Sequence, residues 1–266
     1  MRRIVVVATA VAVLVAAASA IAATGGINTY TASLKFSPNK TGSSKAPSSM
    51  GFTEKYVANG TSGNRTAPLT NIKTVAYGMV SDGKDFPTCS LAKIEAAKSD
   101  TGCPKGALVA TGSVTAIIGP VADPAANAPG QAPCDPLLDV WNAGQGKAVY
   151  FFVDEGSHIC AGGAITTGTV GPFQGTIKAV GKNLVLNTPV PAYVSFPLTG
   201  VEASLTGLTL NWKNLSKTLK SGKTVHYAAS TACKGGKRPY TVTFTAESGP
   251  GGTPSSSPVT GTQKCS

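Results

Sequence analysis

The sequence predicts an all-β protein: an antiparallel β-sandwich or jelly-roll-like fold with one short disulfide-bounded helix at about residues 90–99. Three observations carry this prediction. Short runs of β-branched and aromatic residues recur along the chain, separated by clusters of Gly, Pro, Asn and Asp. Charged residues make up 13% of the chain, against 31 Gly and 18 Pro, a turn-rich composition unlike that of a cytosolic enzyme. The 6 cysteines, an even number, point to disulfides made in an oxidising compartment.

The chain opens with Met1-Arg2-Arg3, an apolar run from Ile4 to Val15 and the small residues Ala18-Ser19-Ala20. A positive start, an apolar middle and an Ala-x-Ala end predict a secretory signal peptide over 1–22, of bacterial character in its Ala/Val richness. Residues 23–266 then form a single β-sandwich domain, with a split near Pro136–Gly146 as the alternative. The expected location is extracellular or envelope-associated, with membrane attachment only through the signal if it stays uncleaved.

Ile27–Phe36 alternates Tyr30, Ala32, Leu34 and Phe36 against polar neighbours, the signature of a half-buried strand. A long flexible loop follows at 37–49, rich in Pro, Ser, Gly and Lys. Met50–Val57 and Ile72–Val80 read as further strands. Ser90 can cap a helix whose residues Leu91, Ile94 and Ala97 share one face, with Gly102 and Pro104 as stop signals. So short a helix is marginal alone. A Cys89–Cys103 bridge closing about fifteen residues adds roughly 3 kcal/mol in the chain-entropy view.

Ala107–Ile118 is the next strand, followed by a Pro/Ala-rich loop over Val121–Pro136. Ala148–Val153 is continuously apolar and fits a strand buried on both faces. Ile165–Val170, Gly175–Val180 and Leu184–Asn187 are short strands, whereas Pro189, Pro191 and Pro197 make Val190–Phe196 an edge or irregular segment. Leu205–Trp212, Thr224–Ala229 and Tyr240–Ala246 complete the strands, and Glu247–Ser257 reads as loop. Short loops between neighbouring strands favour sequential pairing of the cysteines: Cys89–Cys103, Cys134–Cys160 and Cys233–Cys265. No Cys-x-x-Cys spacing supports zinc.

The net charge of +11 is carried mostly by lysine. Nucleic-acid readers favour arginine, so nucleic acid is not an expected partner. Ala203–Ala246 contains no acid but holds Trp212, Lys213, Lys217, Lys220, Lys223, Tyr227, Lys234, Lys237 and Arg238. Rings that stack on sugars beside positive charge would suit an anionic cell-wall polysaccharide.

Motifs for catalysis are weak. Asp154-Glu155-Gly156-Ser157-His158 gathers acid, hydroxyl and imidazole without a Gly-x-Ser-x-Gly frame. A hydrolase would draw on Ser157, His158 or His226. Asp135, Asp139, Asp154 and Glu155 offer oxygens but no EF-hand loop. Ser221-Gly222-Lys223-Thr224 lacks the first glycine of a P-loop. No catalytic residue, metal ligand or cofactor is assigned.

Phe86-Pro87-x-Cys89, Cys103-Pro104-x-Gly106 and Gly112 resemble a group of uncharacterised exported β-sandwich proteins of high-GC Gram-positive bacteria. The resemblance extends to the tail, where Cys233 precedes a Tyr-containing strand, a Gly-rich loop and Cys265. It implies export, a β fold and disulfides, and no activity. The expected function is that of an exported non-catalytic structural or surface-binding protein. A carbohydrate- or wall-polymer-binding module and a secreted hydrolase are the alternatives.

Overall fold

A computed structural model describes residues 27–144, 146–166 and 170–266. The expected signal segment at 1–22 lies outside the described residues. The first strands are β1 (Asn28–Ser37), β2 (Ser48–Ser49), β3 (Gly51–Gly60), β4 (Leu69–Tyr77) and β5 (Met79–Ser81). After α1 (Leu91–Ala97) come β6 (Leu108–Pro120), β7 (Ala132–Cys134), β8 (Leu137–Asn142), β9 (Lys147–Val153), β10 (Phe173–Val180) and β11 (Asn183–Pro189). The chain ends with β12 (Val201–Trp212), β13 (Ser216–Thr218), β14 (Thr224–His226), β15 (Ala228–Ser230), β16 (Lys237–Ala246) and β17 (Ser255–Lys264).

Antiparallel pairing dominates, as predicted, but the layers do not. One 12-stranded sheet runs β1-β3-β12-β6-β8-β9-β10-β11-β4-β16-β17, with β7 beside β6. The main sheet curls until β1 and β17 touch, a nearly closed arrangement and not the layers expected, while β2-β15-β5 and β13-β14 form two small separate sheets. Every neighbouring pair on that path is antiparallel, so the eleven strands make ten reversals and the two edges run in the same direction. They do not zip by a regular ladder. Gln263 of β17 bridges them instead: its Oε1 accepts from the Phe36 amide at 2.6 Å and its Nε2 donates to the Phe36 carbonyl at 3.1 Å. Beyond the strand ends, Ser266 N donates to Asn39 O at 2.9 Å and Thr41 N to Ser266 O at 3.1 Å.

Alternation sets what faces inward. Tyr30, Ala32, Leu34 and Phe36 are all buried, as their spacing predicts. Tyr30 stacks on Phe244 at 4.3 Å between ring centroids, and Phe52 on Trp212 at 5.3 Å. β9 is buried on both sides: Tyr150 faces the interior, while Val149 and Phe151 meet Trp141, Cys89 and Ile94 of a second, outer cluster beneath α1. Ser90 caps α1, its Oγ accepting from Lys93 N at 3.3 Å. The helix stops at Lys98 in the left-handed region, φ 48°, not at Gly102. The bridge to Cys103 therefore closes a loop containing the helix instead of bounding the helix itself.

The other departures have local causes. β8 pairs with β6 and β9 inside the sheet, over residues within the stretch Pro136–Gly146. β17 forms from Ser-, Thr- and Gly-rich sequence, where Pro258 is tolerated because the strand is an edge. Ile165 makes an isolated bridge to Cys160 instead of starting a strand, and residues 167–169 of that expected strand lie outside the described ones. Val190–Phe196 contains a single helical turn, Ala192–Ser195. Within the stretch 37–49, Asn39 Nδ2 donates to Lys264 O at 2.8 Å, and Gly42 lies so close to the Ser230 carbonyl that a Cβ would collide with it.

All three disulfides pair as predicted: Cys89–Cys103, Cys134–Cys160 and Cys233–Cys265. Among the described residues no helix is long and apolar enough to cross a membrane.

Behind α1, Trp141 Nε1 donates to Asp100 Oδ2 at 3.1 Å. Partial burial, then the charge of Asp100 and a hydrogen bond with it, pushes the neighbouring Asp139 carboxyl up from 3.8 to about 6, with Lys213 opposing. The folded state thus holds this proton more tightly than the unfolded chain. The resulting stabilisation is complete below about pH 4 and is lost as pH rises through about 6. Asp139→Asn is expected to stabilise the protein by about 1 kcal/mol at pH 7.5, after allowance for solvent screening, and to add nothing at pH 4. Urea midpoints at the two pH values measure this, and a loss of stability at pH 7.5 would contradict it.

Gln263 is the side chain that bridges β1 and β17 within the strands, so Gln263→Leu leaves the Phe36 amide and carbonyl without that partner. We expect a loss of about 1–3 kcal/mol and faster amide exchange along β1 and β17. Unchanged exchange in both strands would show that the edges are held by other contacts.

Candidate functional site: a cavity inside the sheet

The wall positions follow from strand alternation. Along β3 the inward row is Phe52, Glu54, Tyr56 and Ala58, all buried. Facing rows on β6, β9, β11 and β12 add Val114, Tyr150, Leu186 and Leu208. Near β1 and β16, stacked rings fill the interior. Between β3, β6, β9 and β11 the inward side chains leave a cavity with about 130 Å³ reachable by the centre of a water molecule.

The cavity is apolar except for one cluster and a rim. Glu54 is 5% exposed. Its Oε2 accepts from Trp212 Nε1 at 3.2 Å, while its Oε1 is shielded from solvent and makes no hydrogen bond. Burial raises its pKa, an effect that the indole and the nearby Tyr56 and Thr74 hydroxyls reduce without cancelling. The Tyr56 and Thr74 hydroxyls lie 3.0 Å apart, and Thr188 Oγ1 donates to the Tyr150 hydroxyl at 2.9 Å. Burial also raises both tyrosines. Among the described residues, Glu54 and Asp154 are the cavity's acids, and no Lys, Arg or His lines it.

The mouth lies where β6, β9 and β11 end and where β4, β10 and β12 begin. Cys134–Cys160 ties the loop after β9 to β7, and Asp135 N donates to Ile159 O at 3.1 Å. Ser195 Oγ donates to Leu69 O at 2.6 Å and Tyr193 OH to Pro172 O at 2.8 Å, which fixes the other rim. Exposed Ile159, Tyr193 and Leu198 all belong to these rim segments.

Charge is divided between the two ends of the sheet. The segments at the mouth, 61–68, 121–131, 154–172, 190–200 and 247–254, contain Asp123, Asp154, Glu155 and Glu247 and no lysine. Their one arginine, Arg65, is sealed against Glu202 at 2.9 Å and against the carbonyls of Pro120, Asp123 and Ala125. The opposite end carries exposed Lys40, Lys45, Lys182, Lys220, Lys223 and Lys234.

No family model, curated protein or solved structure matches the chain.

The predicted aromatic and basic face does not assemble. Trp212 is 5% exposed, and its indole is turned inward to Glu54. Tyr227 is 3% exposed and packs edge-on against Phe86 at 5.7 Å. Arg238 is fully buried: its guanidinium donates to the carbonyls of Tyr77 and Gly78, to Asn39 Oδ1 and to Ser230 Oγ, and lies 5.4 Å from the Phe36 ring centre. These three lie in inward rows or strand junctions, where burial outweighs their polar ends. Lys217, Lys220, Lys223, Lys234 and Lys237 remain exposed and Lys213 half-buried, without rings beside them.

His158 Nδ1 sits 3.1 Å from the Asp135 carbonyl, and no hydrogen bond is found between it and Ser157 among the described residues. His226 Nδ1 is 2.7 Å from Ser216 Oγ, its cross-strand partner on the exposed β13–β14 hairpin. That pair lies outside the cavity. Among the described residues no three His, Cys, Asp or Glu side chains are grouped to hold a metal ion. The sequence reading missed Glu54. Its signal was a carboxylate at the same parity as Phe52 and Tyr56, an inward position where water cannot solvate it.

Proposed function

We propose that the protein is an exported, non-catalytic binding protein that holds a small apolar molecule inside the curled sheet. The cavity carries this reading. Apolar protein cavities of about 150 Å³ stay dry and take up benzene-sized guests. The present one is of that order at 130 Å³, and the Cys134–Cys160 bridge and the Ser195 and Tyr193 contacts hold its rim. Three disulfides, in a chain with no spanning helix among its described residues, support action outside the cytoplasm. The resemblance to exported proteins of high-GC Gram-positive bacteria points the same way.

Toluene should bind saturably and raise the thermal midpoint in proportion to its occupancy. Ala116→Phe, an inward position on β6, should fill the space and abolish both effects while the protein still unfolds cooperatively. No saturable toluene binding to the wild-type protein would sink the proposal.

A second reading, retention on an anionic wall polymer, is favoured by the lysines gathered away from the mouth. It now rests on charge alone, since Trp212 and Tyr227 are buried. Purified cell wall should retain the protein at low salt and release it at high salt. Charge reversal at Lys217, Lys220 and Lys223 together should weaken retention several-fold, and salt-insensitive retention would count against it.

A further inference from the structure

We propose that the cavity selects apolar molecules that end in a cationic amine, with the ammonium donating to Glu54 Oε1. This rests on the cavity being a binding site and names the chemistry of its guest. Three observations carry it. Glu54 is almost wholly buried, lines the cavity and keeps one carboxyl oxygen without a hydrogen bond. Of the donors around it, the Trp212 indole serves Oε2 and the Tyr56 and Thr74 hydroxyls pair with each other at 3.0 Å, and Oε1 receives no hydrogen bond from the wall. No described cation lines the cavity, so an ionised Glu54 has no countercharge within the wall. An unpaired buried charge is costly, and a charge-assisted hydrogen bond from the guest would remove that cost.

The same arrangement excludes the opposite guest. A carboxylate placed there would set like charges together in a poorly solvated space. The entrance reinforces the choice. Although the whole chain carries +11, the mouth segments bear Asp123, Asp154, Glu155 and Glu247 and no lysine. A cation is therefore drawn to the one end of a positive molecule whose local field is negative.

Size and head group are separated by four ligands built on one ring: toluene, benzyl alcohol, benzylamine and benzoate. Calorimetric titration at pH 7.5 is expected to rank benzylamine tightest, by about 10–100-fold over toluene, with benzoate weakest. Glu54→Gln should bring benzylamine down toward toluene, with toluene binding to that variant reporting whether the cavity is still formed. Benzylamine no tighter than toluene or benzyl alcohol, or benzoate as tight as benzylamine, would overturn the head-group assignment and leave the cavity reading standing. Failure of all four ligands would instead remove the cavity reading itself.

Discussion

The fold depends on how an odd number of antiparallel strands closes. Along a path of eleven such strands the first and last run in the same direction, and here they meet without a ladder. The groups left open are backbone amides and carbonyls, which cannot be buried unpaired. A glutamine side chain answers this because it carries a donor and an acceptor at a spacing close to that of a peptide group. Gln263 occupies the place of a neighbouring strand beside Phe36, and the Asn39–Ser266 contacts continue the seal past the strand ends. Cys233–Cys265 adds a covalent tie close to the same edge.

Closure turns one face of a single sheet into an interior, and that explains both the packing and the void. In β1, β3 and β16 the rings meet: Tyr30 stacks on Phe244, and Tyr56 packs edge-on against the same ring. Where the inward rows hold Ala116, Val114 and Thr74, the same curvature leaves space. The outer face needs its own cover only where it is apolar. Trp141, Val149 and Phe151 provide such a patch, and α1 sits on it, held by Cys89–Cys103 and by the Cys89 amide donating to Asn142 O at 2.8 Å.

Local features of the fold were legible in the sequence, and its closure was not. Strand parity in Tyr30–Phe36, two-sided burial of Ala148–Val153 and the Ser90 cap follow from residue type and spacing, and the three cysteine pairs are the sequential set favoured among the fifteen that six cysteines allow. β17 was hidden because an edge strand needs few apolar residues, and on its inward face only Ser257 and Val259 are buried. β8 was hidden because Asp139 and Asn142 interrupt its alternation. Whether a sheet closes depends on which strands become neighbours, and no local pattern places β12 between β3 and β6. The candidate site suffered the reverse error. Trp212, Tyr227 and Arg238 were read as surface because they lie among lysines, although rings at alternate positions belong inside.

That error also locates the chemistry. Trp212 was expected to stack on an external ligand; instead it donates to Glu54, and so helps hold an acid in a place that otherwise rejects one. A carboxylate in an apolar wall is destabilising unless something offsets it, and one indole N–H serves only one of its oxygens. Another buried acid is treated differently: one oxygen of Glu202 pairs with Arg65, which also donates to three carbonyls. The contrast is between Glu202, which is paired with a cation, and Glu54, which has no cation beside it and keeps Oε1 without a hydrogen bond. The lysines, all placed away from the mouth segments, leave the cavity an approach in which cations are not repelled.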